Sequence, residues 1–268
     1  MCSLFPSVLV RSGVLFCVAG MALTVHAERK IRVCADPDNL PFSSQQRPGF
    51  DNRIADLLIR DLHAQPVFVW ARARRGFLRE RFNKGECDIL MGVPEGMKRL
   101  RETKPYYRSS YVFVTRKQDH LQIARFSDPA IGQRRIGLQI LESDFSPPSL
   151  PLIRYGHAAQ LVGFESFGSR AGDIVKAVAD KRIGMAVVWG PLAGYYSAPL
   201  HEQLTLAPVS PQVEAGIPFT YNMTIATHSR DEALANQLNA AIDRNQAKIG
   251  AILHSYHVVF QLPHQEGL

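Results

Sequence analysis

Residues Lys84 to Thr115 read KGECDILMGVPEGMKRLRETKPYYRSSYVFVT, and the way this stretch divides decides the fold. Ile89-Leu90-Met91 is a short apolar run closed by Gly92 and Pro94, the pattern of a strand covered on both faces within an α/β sheet. Tyr111-Val112-Phe113-Val114 is aromatic and β-branched, and predicts a second strand that carries the chain out of a first lobe. Sheets of this kind bind ligands in the loops at the carboxyl ends of their strands. The turn around Val93 and Pro94 and the pair Tyr106-Tyr107 are therefore expected near a site.

Upstream, Ile31 to Ala35 is a short strand running into Asp36-Pro37-Asp38-Asn39-Leu40-Pro41-Phe42. Short polar side chains and a Pro-Phe pair predict a rigid loop that presents the Phe42 ring, with Asp36 and Asn39 as polar groups. Gly49-Phe50-Asp51-Asn52 opens a helix whose Ile54, Leu57, Leu58 and Leu62 share one face. Either Asp51 or Asn52 can cap it; Asp51 is read as structural and Asn52 as the cleft candidate of the two. A strand at Val67 to Trp70 and a helix at Gly76 to Lys84, burying Phe77, Leu78 and Phe82, complete a strand-helix alternation that implies a parallel sheet.

The polar segment Arg116 to Gln122 marks a boundary and the first crossing into a second lobe. There, Arg135 to Ile140 is a strand, and a turn with Glu142 and Asp144 precedes a helix start at Ser146-Pro147-Pro148-Ser149. Leu161 to Phe164 is a strand, Ala171 to Lys181 a helix burying Ile174, Val175 and Val178, and Gly184 to Trp189 a strongly apolar strand. It ends in WGPLAGYY, so Trp189 and Tyr195 are expected to line a pocket. Thr220 to Thr227 reads as the return crossing, Ser229 and Glu232 as a capping box, and Gln246 to His254 as a separate last helix. The expected plan is a signal peptide over 1–27, a first lobe over 28–117, an inserted lobe over 118–215, its completion over 216–262 and a tail over 263–268.

The first 27 residues hold one basic residue, Arg11, a short apolar run and the ending Val25-His26-Ala27, which predicts export with cleavage after Ala27. The apolar run falls short of the ~20 residues a membrane span needs, so no span is expected once this segment is removed. The chain carries 31 Lys and Arg against 24 Asp and Glu, a formal charge of +7. Basic residues cluster at Arg72 to Arg81 and at Lys98 to Lys104; export excludes nucleic acid as their target and leaves an acidic protein partner open. Cys34 and Cys87 are the two cysteines beyond residue 27. Placed on parallel neighbouring strands they stand about three residues, ~10 Å, out of register. That separation favours two buried thiols over a bridge.

No metal or catalytic signature is present: no Gly-x-Ser-x-Gly, no phosphate loop and no Cys-x-x-Cys, while His254 and His257 lack a third ligand. A cofactor is not expected. The order of helix, "K-G-x-x-D" strand, Gly turn and Pro-Tyr-Tyr resembles the type II periplasmic binding proteins, the two-lobed receptors of ABC importers. Four runs resemble one branch of them: Arg32 to Phe42, Gly49 to Ala55, Pro105 to Val114, and Val188 to Tyr195. That branch is the quinoprotein-dehydrogenase-associated proteins of the MoxJ/XoxJ type, encoded beside methanol dehydrogenases. One departure is Glu142-Ser143-Asp144, where the family tends to show Gly-Asp-Asp.

The resemblance implies two α/β lobes joined by a two-strand hinge around a ligand cleft. It implies a non-catalytic accessory of a pyrroloquinoline-quinone-dependent (PQQ) methanol or alcohol dehydrogenase, or alternatively the receptor of an ABC permease for a small solute that is not an amino acid. Candidate cleft residues are Asp36, Asn39, Phe42, Asn52, Val93, Pro94, Tyr106, Tyr107, Glu142, Asp144, Trp189 and Tyr195. Amino-acid receptors of this fold carry an Arg that forks the ligand carboxylate and an Asp that pairs with its ammonium. Here those places fall on the segment ending in Arg99 and on Trp189, so a free amino acid is a poor fit and a peptide segment or planar molecule a better one. A lyase acting through Asp36 or Glu142 is the enzyme-class rival.

Overall fold

A computed structural model of the protein describes residues 28–72, 78–141 and 143–261. The expected leader, residues 73–77, Glu142 and the tail from 262 lie outside the described residues. The main strands are β1 (Lys30–Ala35), β2 (Gln65–Trp70), β3 (Ile89–Pro94), β4 (Leu100–Glu102), β5 (Tyr107–Arg116), β6 (Ile136–Leu141), β7 (Leu161–Glu165), β8 (Met185–Trp189), β9 (Leu204–Pro208) and β10 (Thr220–His228). The helices are α1 (Phe50–Asp61), α2 (Ser149–Arg154), α3 (Asp173–Ala179), α4 (Gly190–Ser197) and α5 (Glu232–Ser255).

The strands join in the order β7-β6-β8-β5-β10-β3-β1-β2, with β9 on β5 and β4 on β10. The apolar run at 89–91 lies between β1, parallel to it, and β10, antiparallel to it. Two lobes arise because β5 changes partner along its length. Tyr107 to Ser110 pair with β10, whereas Tyr111 to Arg116 pair with β8 and β9. The change falls between Ser110 and Tyr111, earlier than the polar segment that the sequence suggests as the crossing. The switch coincides with the start of the aromatic and β-branched run Tyr111-Val112-Phe113-Val114, while the strand itself runs on unbroken to Arg116.

Each lobe has its own core. The first packs α1 and α5 on the sheet through Phe50, Ile54, Leu58, Leu238, Ile242 and Ile249. Leu57 and Leu62 sit at its edge, partly buried, while Ile59 takes the buried place. The second packs α3 through Ile174, Val175 and Val178 on one face of its sheet and Phe113, Phe126 and Phe219 on the other.

Three expectations need correction, and a fourth is tested only in part. α5 is one helix of 24 residues, because Asn245 lies buried and its Nδ2 bonds the Ala241 carbonyl at 2.9 Å, carrying the helix through the suspected break. Its cap is Asp231, which accepts from the Leu234 amide at 3.1 Å, and not Ser229. Of the helix expected over 76–84, the described part is the single turn Leu78–Phe82, with Phe82 buried. Finally, Cys34 and Cys87 are bridged, with their Cα atoms 5.4 Å apart. Cys34 does pair with Leu90, three residues past Cys87. Cys87, however, lies in the bend before β3, so the rise of an extended strand does not set its distance.

The C-terminal segment crosses behind the connecting strands. Gln261 exchanges two 2.8 Å backbone hydrogen bonds with Arg108, Val258 belongs to the first core, and Val259 packs on the second. Helix α4 accepts this segment only because residue 194 lacks a side chain: a Cβ there would stand 1.9 Å from the His257 carbonyl oxygen. Gly194→Ala is expected to lower unfolding stability by about 1–3 kcal/mol, since backbone rather than a flexible side chain has to move. Urea denaturation reads the change, and an unaltered midpoint would show that the segment is not seated on α4.

Candidate functional site

The cleft begins at Gly92. Two residues of β3, Met91 and Gly92, stand against the single Ile225 of β10 here, a bulge, and Gly92 has φ +66°, a conformation glycine adopts without strain. A Cβ on Gly92 would stand 3.1 Å from Asp51 Oδ2. The bulge thus opens the strand directly over the first turn of α1.

Asp51 is the floor of the cleft and is buried. Its Oδ1 accepts the Tyr106 hydroxyl at 2.6 Å, and no cation stands against it among the described interactions. Burial pushes its carboxyl up to about 7, the Tyr106 hydrogen bond pulling the other way. Asn52 is spent locally: its Oδ1 accepts the Gly49 amide at 2.9 Å and the Ser44 amide at 3.0 Å, which ties the start of α1 to the Asp36–Ser44 loop. Both residues line the cleft: Asn52 as expected, while also tying down the start of α1, and Asp51 in addition to the structural part expected of it, as the group that sets the electrostatics of the floor.

Above the floor lies a cavity of about 370 Å³, continuous with a second of about 350 Å³ through Asn39, Phe42, Pro94, Trp189 and Met223. Asp36, Asn52 and Val93 also face the first cavity. Trp189, at the end of β8, packs edge-on against Tyr111 at 5.3 Å and Tyr221 at 5.7 Å. Its amide donates to the buried Gln139 Oε1 at 2.6 Å, which fixes the turn into α4. Burial raises the Tyr111 phenol, so it stays a neutral hydroxyl. The Asn39 Oδ1 is buried and has no partner, a polar atom left for a ligand to satisfy.

Four candidates lie elsewhere. Tyr106 and Tyr107 are sealed in the first core, because consecutive residues at the start of β5 face opposite sides and both sides are covered. Tyr195 packs against Tyr196 and stacks on Tyr256, 6.1 Å away, on the far side of α4. Asp144 is exposed in a two-residue strand against β6 and lines neither cavity. The sequence reading missed Tyr111, Tyr221, Gln139 and the methionines Met91, Met97 and Met223. Their signal is positional: most lie on the connecting strands or at the ends of β3 and β6.

The two cavities bring together aromatic rings, thioethers and a few uncharged hydrogen-bonding groups. Among the described residues lining them, Asp36 and Asp51 are the ionisable carboxylates, and no Lys, Arg or His takes part. Arg99, nearest in sequence to the carboxylate-binding arginine of amino-acid receptors, does not line the cleft. A free carboxylate entering here meets no counter-charge, and desolvating one without a partner is costly. No group of three or more His, Cys, Asp or Glu arranged for a metal occurs among the described residues. No helix among them is long and apolar enough to cross a membrane.

No protein-family model matches the chain. It is 29% identical over 241 residues to Protein MoxJ of Paracoccus denitrificans, covering 83% of this chain and 86% of that protein. The crystal structure of periplasmic binding protein XoxJ from Methylobacterium extorquens AM1 superposes with a TM-score of 0.72 at 28% identity, over 86% of this chain and 99% of that one. MxaJ from Methlophaga aminisulfidivorans MPT gives a TM-score of 0.75 over 86% of this chain and 100% of that one, and at 24% identity it speaks to the fold.

Proposed function

We propose that the chain, which is similar in sequence and fold to Protein MoxJ and to the periplasmic binding protein XoxJ, is a non-catalytic type II periplasmic binding protein serving a PQQ-dependent methanol or alcohol dehydrogenase in the periplasm. The observation that carries the binding mode is the ring-walled cleft of Phe42, Tyr111, Trp189 and Tyr221, which no cationic side chain enters among the described residues. Such a surface takes up a peptide segment or an uncharged planar molecule through stacking and apolar burial. Affinity for a free amino acid is not expected from it. The dehydrogenase association rests on the resemblance to MoxJ and XoxJ.

Affinity capture from periplasm, with the tagged chain as bait, is expected to recover a quinoprotein dehydrogenase, and a deletion strain is expected to lose dehydrogenase activity. Capture of none, with normal activity in the deletion strain, sinks the accessory role. X-ray scattering tests the importer alternative: a marked fall in radius on adding a small solute reports closure of the lobes around cargo. Native mass spectrometry of protein taken from its own periplasm identifies any retained ligand.

A further inference from the structure

On the first lobe, outside the aromatic cleft, lies a polar pocket of about 350 Å³ that the function proposed above does not use. Its charged lining comes from three segments far apart in sequence: Lys84 in the turn after Phe82, Arg99 in the turn before β4, and Arg230 in the turn after β10. Asn83 and Ser229 add neutral donors, and no acidic side chain lines it.

Glu102, three residues past Arg99, accepts the Gly96 and Met97 amides at 2.8 and 2.6 Å, and four other acids close in sequence are engaged as well. Glu86 pairs with Arg81 at 2.8 Å, Asp88 with Arg32 at 2.6 Å, Glu232 with Arg101 at 3.7 Å, and Asp231 caps α5. Among the described residues, no ion pair is recorded for Lys84, Arg99 or Arg230. The wall is also built firmly. His228 stacks on Phe82 at 4.4 Å and its Nε2 lies 2.9 Å from the Cys87 carbonyl, while the disulfide to Cys34 anchors the same turn to β1. Arg99 holds φ +72° and Gly85 φ +75°, left-handed conformations in two of the turns that line the pocket.

Three cations around one concave space that no carboxylate lines form an arrangement for an anion with several oxygens. We propose that this pocket binds a small multivalent oxyanion of the phosphate or pyrophosphate class, independently of whatever occupies the cleft.

The test is calorimetric titration of the full chain with inorganic pyrophosphate at about 10 mM ionic strength, where screening is weak. The wild type is expected to bind. The triple variant Lys84→Gln, Arg99→Gln, Arg230→Gln is expected to lose at least tenfold in affinity while keeping its circular dichroism. A control variant, Arg135→Gln, Lys176→Gln, Lys181→Gln, removes three exposed cations from the other lobe at the same cost in net charge, and is expected to bind as the wild type does. The proposal is overturned by absent binding to the wild type, by equal losses in both triple variants, or by a triple variant that binds unchanged. A hexaglutamate peptide that binds more tightly than pyrophosphate would also overturn it, making the pocket a seat for an acidic protein segment.

Discussion

Reduction of the Cys34–Cys87 bridge is expected to lower unfolding stability by about 4 kcal/mol. The bond joins residues 53 apart in sequence, and in the chain-entropy account a loop of that size removes roughly this much conformational freedom from the unfolded chain. The folded side adds to it, since Cys34, Cys87 and Phe82 form a small buried cluster that fastens the turn before β3 to β1. Urea unfolding of a chain beginning at Glu28, with and without a thiol reductant, measures the difference on one sequence. The same chain unfolded without reductant is expected to present no reactive thiol. Two titratable thiols per chain, or coincident unfolding curves, would remove the bridge from the account. The effect reaches past stability: the anchored turn carries Lys84 and, through β3, leads to Gly92, so the bridge supports both the basic pocket and the floor of the cleft.

What could be read beforehand, and what could not, follows from the range of the interactions involved. Apolar runs at 31–35, 89–91, 111–114 and 185–189 announce buried strands because burial on both faces is written locally, residue by residue. Phe42 and Trp189 were legible as cleft walls because each stands beside a proline turn at the end of an apolar run. Tyr106 and Tyr107 have the same local look, yet α1 docks over them, with Phe50 edge-on to Tyr107 at 5.8 Å. Which aromatic rings stay open depends on which helix covers them. That information is spread over more than fifty residues of separation. Helix α4 was hidden for a related reason: GPLAGYYS carries two glycines and has no polar face, so nothing in its periodicity distinguishes it from a pocket loop. Its glycines answer instead to close backbone neighbours, Ser110 at Gly190 and His257 at Gly194. The disulfide failed to show for the same reason, a bend standing where an extended strand was assumed.

The second large effect concerns pH and the cleft floor. Asp51 titrates near its ordinary value of 3.8 when the chain is unfolded and at about 7 when folded, because burial disfavours its charge more than the Tyr106 hydroxyl supports it. A folded-state value above the unfolded one means that the native chain binds more protons between these limits. Stability is therefore full below about 3.8, declines as pH rises toward 7, and levels off above it. Moving one carboxyl that far corresponds to a loss on the order of 4 kcal/mol. The groups facing it are the Tyr106 and Tyr107 hydroxyls and the Gly92 backbone, and none carries a charge that could offset the ionised form. Asp51→Asn keeps the shape and the acceptor oxygen but cannot ionise. It adds two N–H donors, which introduce a constant offset of about 1–3 kcal/mol if unpaired. The slope is thus the informative quantity: the wild type minus the variant is expected to fall by several kcal/mol between pH 4 and pH 7 and to stay flat above it. Ligand capture should follow the same curve, since an ionised floor draws water into a cleft that otherwise offers rings and thioethers. Parallel stability profiles for the two proteins across that interval would mean that the Asp51 carboxyl is hydrated in the native state, and that the cleft is wetter than its walls imply.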